Sequence, residues 1–379
     1  MKKTLIALAT LGAMVGGASA ANVTLYGTVD EGLAYKYQKS VAGDGSHETT
    51  HSYGMDSGNL FANRFGIKGT EELGNGYSVG FKLESGFDAD SGKLAKDNTI
   101  FSRESALTLT TPAGSIAAGR MGALTAGTGS YDIFQANADV FDGGVGIIGT
   151  GYWHDTGRWS NTLAYTTPDL AGLKLYGQYS FAKDDEGSNE RVDDRYWGVG
   201  ATYDVGALSL VAVVDSVMYK SGTGLSDNYT VSLGGHYNLG MATPFVGVQY
   251  GRHMNQFGFI NSDSTLFADK FSHADLKGYA ATIGSAFDLP TGTLSASVFY
   301  SHATGDVVTS VTENQTTSYT NNSLDKADTI GFGLVNAYPL SKRTNIYAGV
   351  GYSYTKASWT DTTTKEHNAE AVVGLSHSF

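Results

Sequence analysis

The stretch Ala369-Glu370-Ala371-Val372-Val373-Gly374-Leu375-Ser376-His377-Ser378-Phe379 decides the fold. Ala369, Ala371, Val373, Leu375 and Phe379 share one parity, interrupted by His377, while Glu370, Ser376 and Ser378 occupy the other. This alternation indicates a strand with one apolar and one wet face. Chain ends usually fray into solvent, whereas the strand that closes a membrane barrel must pair its edge inside the bilayer. We therefore predict a transmembrane β-barrel that is closed by this segment.

Segments with the same alternation recur along the whole chain. They lie near 22–35, 59–70, 77–88, 100–111, 115–122, 156–167, 172–182, 195–205, 208–219, 227–238, 243–255, 275–288, 292–303, 327–338, 344–357 and 368–379. Their number is sixteen, and an even number is what antiparallel closure requires when both ends lie on one side of the membrane. The pattern predicts an all-β protein, a 16-stranded antiparallel transmembrane β-barrel.

The connections between these segments alternate in length. Short ones fall at 71–76, 112–114, 168–171, 206–207, 239–242, 289–291 and 339–343. Long polar ones fall at 36–58, 89–99, 123–155, 183–194, 220–226, 256–274, 304–326 and 358–367. Outer-membrane barrels have short periplasmic turns and longer external loops. A soluble β-sandwich has no reason to sort its loops in this way.

The first residues have the pattern of a secretory signal peptide. Lys2 and Lys3 precede an apolar run from Thr4 to Val15, and Ala18-Ser19-Ala20 is a small-residue cleavage site. The apolar run is too short for a spanning helix. We expect residues 1–20 to be removed and residues 21–379 to form one barrel domain in the outer membrane of a Gram-negative cell.

Composition argues against several other classes of protein. The formal net charge is −12 and no basic run occurs, so nucleic-acid binding is not expected. Cysteine is absent and the histidines lack metal-ligand spacing, so we predict no metal and no cofactor.

Charges at mid-strand indicate what the barrel encloses. Phe65 and Ile67 alternate with Arg64 and Lys68, and in the next strand Lys82 takes the same parity as an acid, Glu84. A charge that faces lipid at mid-depth costs about 2–4 kcal/mol, so these charged side chains must face the lumen. A lumen lined by both signs holds water, and about sixteen strands leave room for a channel. The predicted function is passive diffusion of small hydrophilic solutes and ions.

Short motifs carry a family resemblance over the whole chain. They are Asn63-Arg64-Phe65-Gly66-Ile67-Lys68-Gly69, Ser102-Arg103-Glu104-Ser105-Ala106, Gly119-Arg120, Gly157-Arg158-Trp159-Ser160-Asn161 and the terminal Leu375-Ser376-His377-Ser378-Phe379. In this order and spacing the sequence resembles the trimeric general porins of Gram-negative bacteria, of the neisserial and beta-proteobacterial type.

The resemblance implies an eyelet inside the barrel. The third external loop, here 123–155, is expected to fold inward and to narrow the pore. Its acids are Asp132, Asp139 and Asp142, and the wall cations expected opposite them are Arg64, Arg103 and Arg158, with Arg120 and Lys82 as further candidates. Opposed charges across a narrow water channel create a transverse field that orients polar solutes and discriminates among ions.

The resemblance also implies partners. Phe379 matches the assembly signal that the barrel-assembly machinery reads, and outer-membrane lipid and lipopolysaccharide would surround the barrel. A homotrimer is expected, and small or polar residues at positions interpreted as outward, Gly27, Gly69, Glu104, Ala106 and Thr108, agree with a protein-covered face.

Three alternatives remain: a substrate-specific channel, an outer-membrane enzyme and a pure adhesin. A substrate-specific channel, for instance one tuned to anionic nutrients, usually has a dense ladder of one charge sign along the lumen, and this sequence shows mixed charge. An outer-membrane hydrolase would need a catalytic serine and histidine on the wall. Ser232 and His236 share a parity, but no motif surrounds them, so we predict no catalytic residues and no enzyme.

Overall fold

A computed structural model describes residues 22–127, 129–139, 141, 156–183, 193–220, 225–257, 270–313 and 316–379. The predicted signal peptide, residues 1–20, lies outside the described residues. Within those ranges, no helix has the length and apolar character needed to cross a membrane.

The described residues form seventeen strands and one short helix. The strands are β1 (Asn22–Val41), β2 (His47–Ser57), β3 (Arg64–Gly74), β4 (Tyr77–Gly86), β5 (Glu104–Thr111), β6 (Gly114–Gly122), β7 (Arg158–Thr166), β8 (Leu173–Ser180), β9 (Arg195–Val205), β10 (Leu208–Met218), β11 (Tyr229–Tyr237), β12 (Ala242–Met254), β13 (Lys270–Leu289), β14 (Gly292–Glu313), β15 (Thr316–Ser341), β16 (Thr344–Trp359) and β17 (Thr362–Ser378). The helix α1 (Gln135–Ala138) lies between β6 and β7.

All strands belong to one antiparallel sheet that closes on itself. One edge of β1 pairs with β17, from Thr28 opposite Ser378 to Val41 opposite Lys365. The other edge pairs with β3 along its first half and with β2 along its second half. Because β2 and β3 share one position beside β1, the seventeen strands of the described chain occupy sixteen positions. The predicted 16-stranded antiparallel barrel is therefore confirmed.

A buried carboxylate stabilises the bend between β2 and β3. Asp30, on the inner face of β1, accepts hydrogen bonds from the backbone N–H groups of Asn59 (3.1 Å), Leu60 (3.2 Å) and Phe61 (3.0 Å), and from the Tyr347 hydroxyl (2.7 Å). The chain leaves the ladder at this bend, so its N–H groups need other acceptors. One side chain supplies them and allows a single barrel position to be built from two strands.

Several predicted loops are largely strand. Residues 36–41 and 47–57 pair with each other across the turn 42–46, and β16 and β17 are joined by only 360–361. The hairpin of β14 and β15 likewise continues through most of 304–326. These prolongations are mostly polar, and their apolar side chains, such as the buried Val307 and Leu324, are too few for a regular alternation. The period-two signal is therefore lost although the backbone ladder continues. The short turns lie where the sequence predicted them.

The two faces of the closing strand follow the predicted alternation. Val373 and Leu375 are 49% and 48% exposed on the outer face, whereas Glu370 and Ser376 are buried on the inner face.

The interpretation of five outward small or polar residues was wrong for three of them. On β5 the exposed side chains are Leu107 and Leu109, so Glu104, Ala106 and Thr108 have the opposite parity and face the lumen. The reason is the one-residue alternation itself, because a wrong choice of phase exchanges every side chain between faces. Gly27 and Gly69 do face outward, and aromatic rings cover both: Phe379 lies over Gly27, and Phe81 lies over Gly69.

Phe379 closes the ladder against Gly27. The N–H of Gly27 donates to the Phe379 carbonyl at 3.2 Å, and the N–H of Phe379 donates to the Gly27 carbonyl at 3.1 Å. The Phe379 ring lies over Gly27, where an added Cβ would be 2.3 Å from the ring and 2.6 Å from the carbonyl oxygen of Arg64. Glycine at this position therefore lets the ring cover the seam of the barrel.

We predict that Gly27→Val sharply reduces the folded barrel, because the added side chain meets a backbone oxygen that cannot move without breaking the β1–β3 pairing. Gly177→Val is the matched control: Gly177 also faces outward, on β8, and has open space around its Cβ position. Heat-modifiable electrophoretic mobility of outer-membrane fractions measures the folded fraction. Equal folded fractions for the two variants would contradict this account of the seam.

Candidate functional site

A network of charged side chains covers the inner face of β4 and β5. The register places Glu84 directly opposite Glu104, and two carboxylates in this position repel each other. Lys82 relieves the repulsion, with its Nζ 2.8 Å from Glu104 Oε2 and 3.5 Å from Glu84 Oε2. Arg103 Nε contacts Glu84 Oε1 at 2.7 Å, and the Tyr26 hydroxyl donates to Glu84 Oε2 at 2.9 Å. We call this wall the charged wall.

The segment after β6 reaches this wall. The Ser130 hydroxyl accepts a hydrogen bond from Lys82 Nζ at 2.8 Å and donates to Glu104 Oε2 at 2.8 Å. Ser130 belongs to the predicted constriction loop 123–155, and Gly129 before it has a φ of +118°, a conformation that glycine adopts without strain. The described part of the loop therefore lies inside the barrel.

The same segment packs against the wall on the other side of the lumen. Leu124, Ile133, Phe134 and Ala138 form a buried cluster with the inward side chains of β10, including Val211 and Val213. On β11, the Gly234 Cβ position would lie 2.4 Å from the Ala138 Cβ, so this wall has room only for glycine where the helix rests. We call this wall, formed by β10 and β11, the docking wall. The loop packs on it through these apolar contacts and meets the charged wall through polar contacts.

Asp215, on β10, joins both ends of the loop to the barrel. Thr125 from the start of the loop and Thr156 from its end donate to Asp215 Oδ2 at 2.7 and 3.2 Å. The Tyr196 hydroxyl donates to the same oxygen at 3.3 Å, and Thr230 donates to Oδ1. The carboxylate is fully buried and receives only hydroxyl donors in these contacts. It is a hub that joins the two roots of the loop to β9, β10 and β11.

A cavity of about 670 Å³ lies between the loop and the charged wall. Its lining includes four basic side chains, Arg64, Lys68, Lys82 and Arg103, one acidic side chain, Glu84, and the loop residues Ser130 and Phe141. Three of the predicted wall cations are thus brought together. Lys68, which the sequence placed in the lumen without assigning it to the site, joins them and lies 5.1 Å from the centre of the Tyr26 ring.

The other predicted cations have different surroundings. Arg120 is bound along the wall, since its Nε donates to the Ser102 carbonyl at 2.8 Å and its Nη1 donates to the Ser160 hydroxyl at 2.9 Å. Arg158 is half-buried and lies opposite Gly122 in the register, at the root of the loop. Neither is among the described residues that line the cavity.

The loop acids are bonded to the loop itself. Asp132 accepts a hydrogen bond from the Gln135 N–H at 3.2 Å, and Asp139 accepts one from the Phe141 N–H at 2.9 Å. Both residues are buried. Asp142, the third predicted acid, lies outside the described residues. The opposition of these acids to the wall arginines stays a prediction.

Besides Lys68, sequence reasoning did not assign Glu104, Ser130 or Asp215 to this site. An inward charge at mid-strand was the available signal for Glu104 and for Asp215, which interrupts a run of valines. Ser130 carries no such signal. The Ser232 and His236 side chains have other partners: Gln249 Nε2 donates to the Ser232 hydroxyl at 3.0 Å, and His236 Nδ1 lies 2.9 Å from the Asn137 carbonyl oxygen.

The sequence is similar to known porins of Gram-negative bacteria. The sequence model for Gram-negative porins matches residues 4–358. An outer membrane porin protein of Bordetella pertussis is 35% identical over 195 residues, which are 49% of this chain and 50% of that protein, so the match spans half of that relative. Outer membrane porin protein 32 of Delftia acidovorans is 34% identical over 254 residues, 64% of this chain and 67% of that one.

Solved structures agree on the fold. An anion-selective porin from Comamonas acidovorans superposes with a TM-score of 0.60 at 23% identity, covering 95% of this chain and 100% of that one.

We predict that Asp215→Ala loosens the loop without unfolding the barrel. A hydrogen bond to a charged group contributes about 1.5 kcal/mol or more, so the loss of this hub should raise the population of loop-open states about tenfold. Open-channel current noise in planar bilayers and protease cleavage within 123–155 measure the change. Asp204→Ala is the control, because the Asp204 carboxylate accepts a hydrogen bond from the Ser209 hydroxyl (2.6 Å) and lies beside the short turn between β9 and β10, away from the loop. Unchanged noise and cleavage in Asp215→Ala would show that Asp215 is not the anchor.

Proposed function

Since this chain belongs to the Gram-negative porin family, we propose that it is an outer-membrane pore for passive diffusion of small hydrophilic solutes and ions, with a charged eyelet. One observation carries the proposal. The segment after β6 bonds to the charged wall through Ser130 and packs on the docking wall through Phe134, so it crosses the interior of the barrel. A pore narrowed in this way must pass solutes between the loop and the charged wall.

The charge at this passage favours anions. Four basic side chains and one acidic side chain line the cavity among the described residues. Fixed charge at the narrowest point governs which ions enter. The loop acids Asp132, Asp139 and Asp142 would face Arg64, Arg103 and Arg158 across the passage and supply the opposite sign of the transverse field.

A channel specific for anionic nutrients is the alternative, and the same excess of cations favours it. Glu84 and Glu104 argue for the general pore. They form ion pairs with Arg103 and Lys82 on the wall and so neutralise part of the basic charge that a specific anion site would need. We therefore propose a general pore with an anion preference. Saturation of the conductance by a phosphate- or carboxylate-bearing nutrient at low concentration would favour the specific channel.

We further propose that residues 1–20 direct export and are removed, that Phe379 is read by the barrel-assembly machinery, and that the mature protein is a homotrimer in contact with lipopolysaccharide. The terminal motif and the resemblance to trimeric porins support these assignments. The pairing of Phe379 with Gly27 gives assembly a physical reason, since it seals the last edge of the ladder.

The eyelet is tested by charge removal. The triple variant Arg64→Gln, Arg103→Gln and Arg158→Gln should shift the reversal potential in a salt gradient toward cations, with a several-fold change in the permeability ratio. Arg252→Gln, Lys277→Gln and Lys356→Gln is the control, since these exposed side chains lie on the outer face of the barrel. A triple eyelet variant that keeps both conductance and ion preference would overturn the assignment.

The loop acids are tested in the opposite direction. Asp132→Asn with Asp139→Asn should increase the preference for anions if these carboxylates face the passage, and bilayer reversal potentials again provide the measurement. An unchanged ratio would restrict their role to bonding the loop backbone.

The homotrimer is tested by mass. In mild detergent, multi-angle light scattering should give the mass of three mature chains, as the resemblance to trimeric porins implies. A monomer at every concentration would count against the assembly.

A further inference from the structure

We propose that two pairs of like-charged side chains on the outer face of the barrel, Arg252 with Lys277 and Lys356 with Lys365, each clamp a phosphate of an outer-leaflet glycolipid. The proposal deepens the lipopolysaccharide contact named above and rests on that part of the proposed function. It assigns the contact to four residues.

The pairing in each case is set by the register. Arg252 on β12 stands directly opposite Lys277 on β13. Lys356 on β16 stands directly opposite Lys365 on β17. Side chains opposite each other on adjacent strands have Cβ atoms about 4.5–5.5 Å apart, and like charges there destabilise the sheet. Each of the two pairs therefore destabilises the sheet locally by electrostatic repulsion, and a bound anion would remove that repulsion.

The depth of the pairs matches a membrane boundary. A tilted strand needs about 9–11 residues to cross the bilayer. β12 and β16 leave the short-turn side at Ala242 and Thr344, while β13 and β17 return to it at Leu289 and Ser378. Counted from these four ends, Arg252 falls at the end of one crossing length, and Lys277, Lys356 and Lys365 fall just beyond it, on the side of the long loops.

Aromatic side chains mark the same boundary. One step closer to the membrane on the same face, Tyr250 lies opposite Tyr279 below the first pair. Tyr354 lies opposite His367 below the second pair, with ring centres 4.8 Å apart. Aromatic belts sit at the level of the lipid headgroups. The cations therefore lie where the phosphates of the outer leaflet are found.

The four cations are available for a ligand. All are exposed, and none of their side chains has an ion pair or hydrogen bond within the part of the chain that the structure describes. Two nearby acids are engaged elsewhere: Asp275 binds His253 Nδ1 at 2.9 Å, and Asp328, which lies opposite Lys356, accepts from Tyr300 at 2.7 Å and contacts His302 Nδ1 at 2.8 Å.

Phosphate is the anion that fits. In the first pair, Arg252 can bind phosphate through two parallel N–H groups and Lys277 adds a point charge, whereas the second pair offers two lysine point charges. Long basic side chains extend from the apolar face to the headgroup layer. The chain as a whole is acidic, with a formal net charge of −12, so these pairs are local reversals of its overall charge.

The test measures retained lipid on the purified full-length protein. The protein is reconstituted with bis-phosphorylated lipid A or with enzymatically dephosphorylated lipid A, transferred to mild detergent, and the retained lipid is counted by native mass spectrometry. Each basic residue near an anionic surface contributes about 1 kcal/mol. Arg252→Gln with Lys277→Gln should therefore lower the affinity for phosphorylated lipid A about tenfold or more, and Lys356→Gln with Lys365→Gln should do the same.

The control removes the same charge at the opposite boundary. Lys342→Gln with Arg343→Gln alters two exposed side chains in the short turn between β15 and β16 and should leave retention unchanged. Equal loss in this control, or equal retention of the two lipids by the unaltered protein, would overturn the proposal. Single-channel conductance of every variant shows that it has folded. Conductance reports the pore and retention reports the lipid site, so the two proposals fail separately.

Discussion

The constraint on which the structure depends is that every backbone amide inside a bilayer must find its partner within the protein. A closed ladder meets it, and closure here occurs on both edges of β1. One edge takes β17, and the other takes β3 and then β2. The bend between β2 and β3 leaves N–H groups outside the ladder, and Asp30 accepts them. A polar side chain inside the barrel thus accepts the hydrogen bonds of the backbone N–H groups that the ladder leaves without a partner.

The same constraint separates the two faces. Lipid excludes charge from the outer face except at its boundaries, so charged side chains are directed into the lumen or to the headgroup layer. Inside, Glu84 and Glu104 stand opposite each other because the register places them there, and Lys82 and Arg103 balance them. The loop that enters this space binds the charged wall through a hydroxyl and the docking wall through apolar contacts. The position of the loop, and with it the passage left open for solutes, therefore depends on which wall is charged and which is apolar.

Sequence and structure differ in ways that have a common cause. The alternation identified the strands of the barrel, but it gave no signal where the β14–β15 hairpin continues beyond the apolar band with mostly polar residues. It also placed Glu104 on the outer face, although Leu107 and Leu109 define that face. Periodicity locates a strand well where one side is apolar. Where the two faces of a strand are similar in polarity, periodicity predicts neither the end of the strand nor which of its residues face outward.

Residue order along the chain was enough to predict the fold class, the number of barrel positions, the alternation of short turns and long connections, and the direction of Arg64, Lys68 and Lys82 into the lumen. These are local properties, because residue type at every second position depends only on which side faces lipid. The tertiary structure alone decided that Asp215 holds Thr125, 90 residues away, and that Arg252 stands opposite Lys277. Such pairings depend on register between distant strands, and a slip of one residue would exchange the faces of a strand. No local pattern in the chain records that choice.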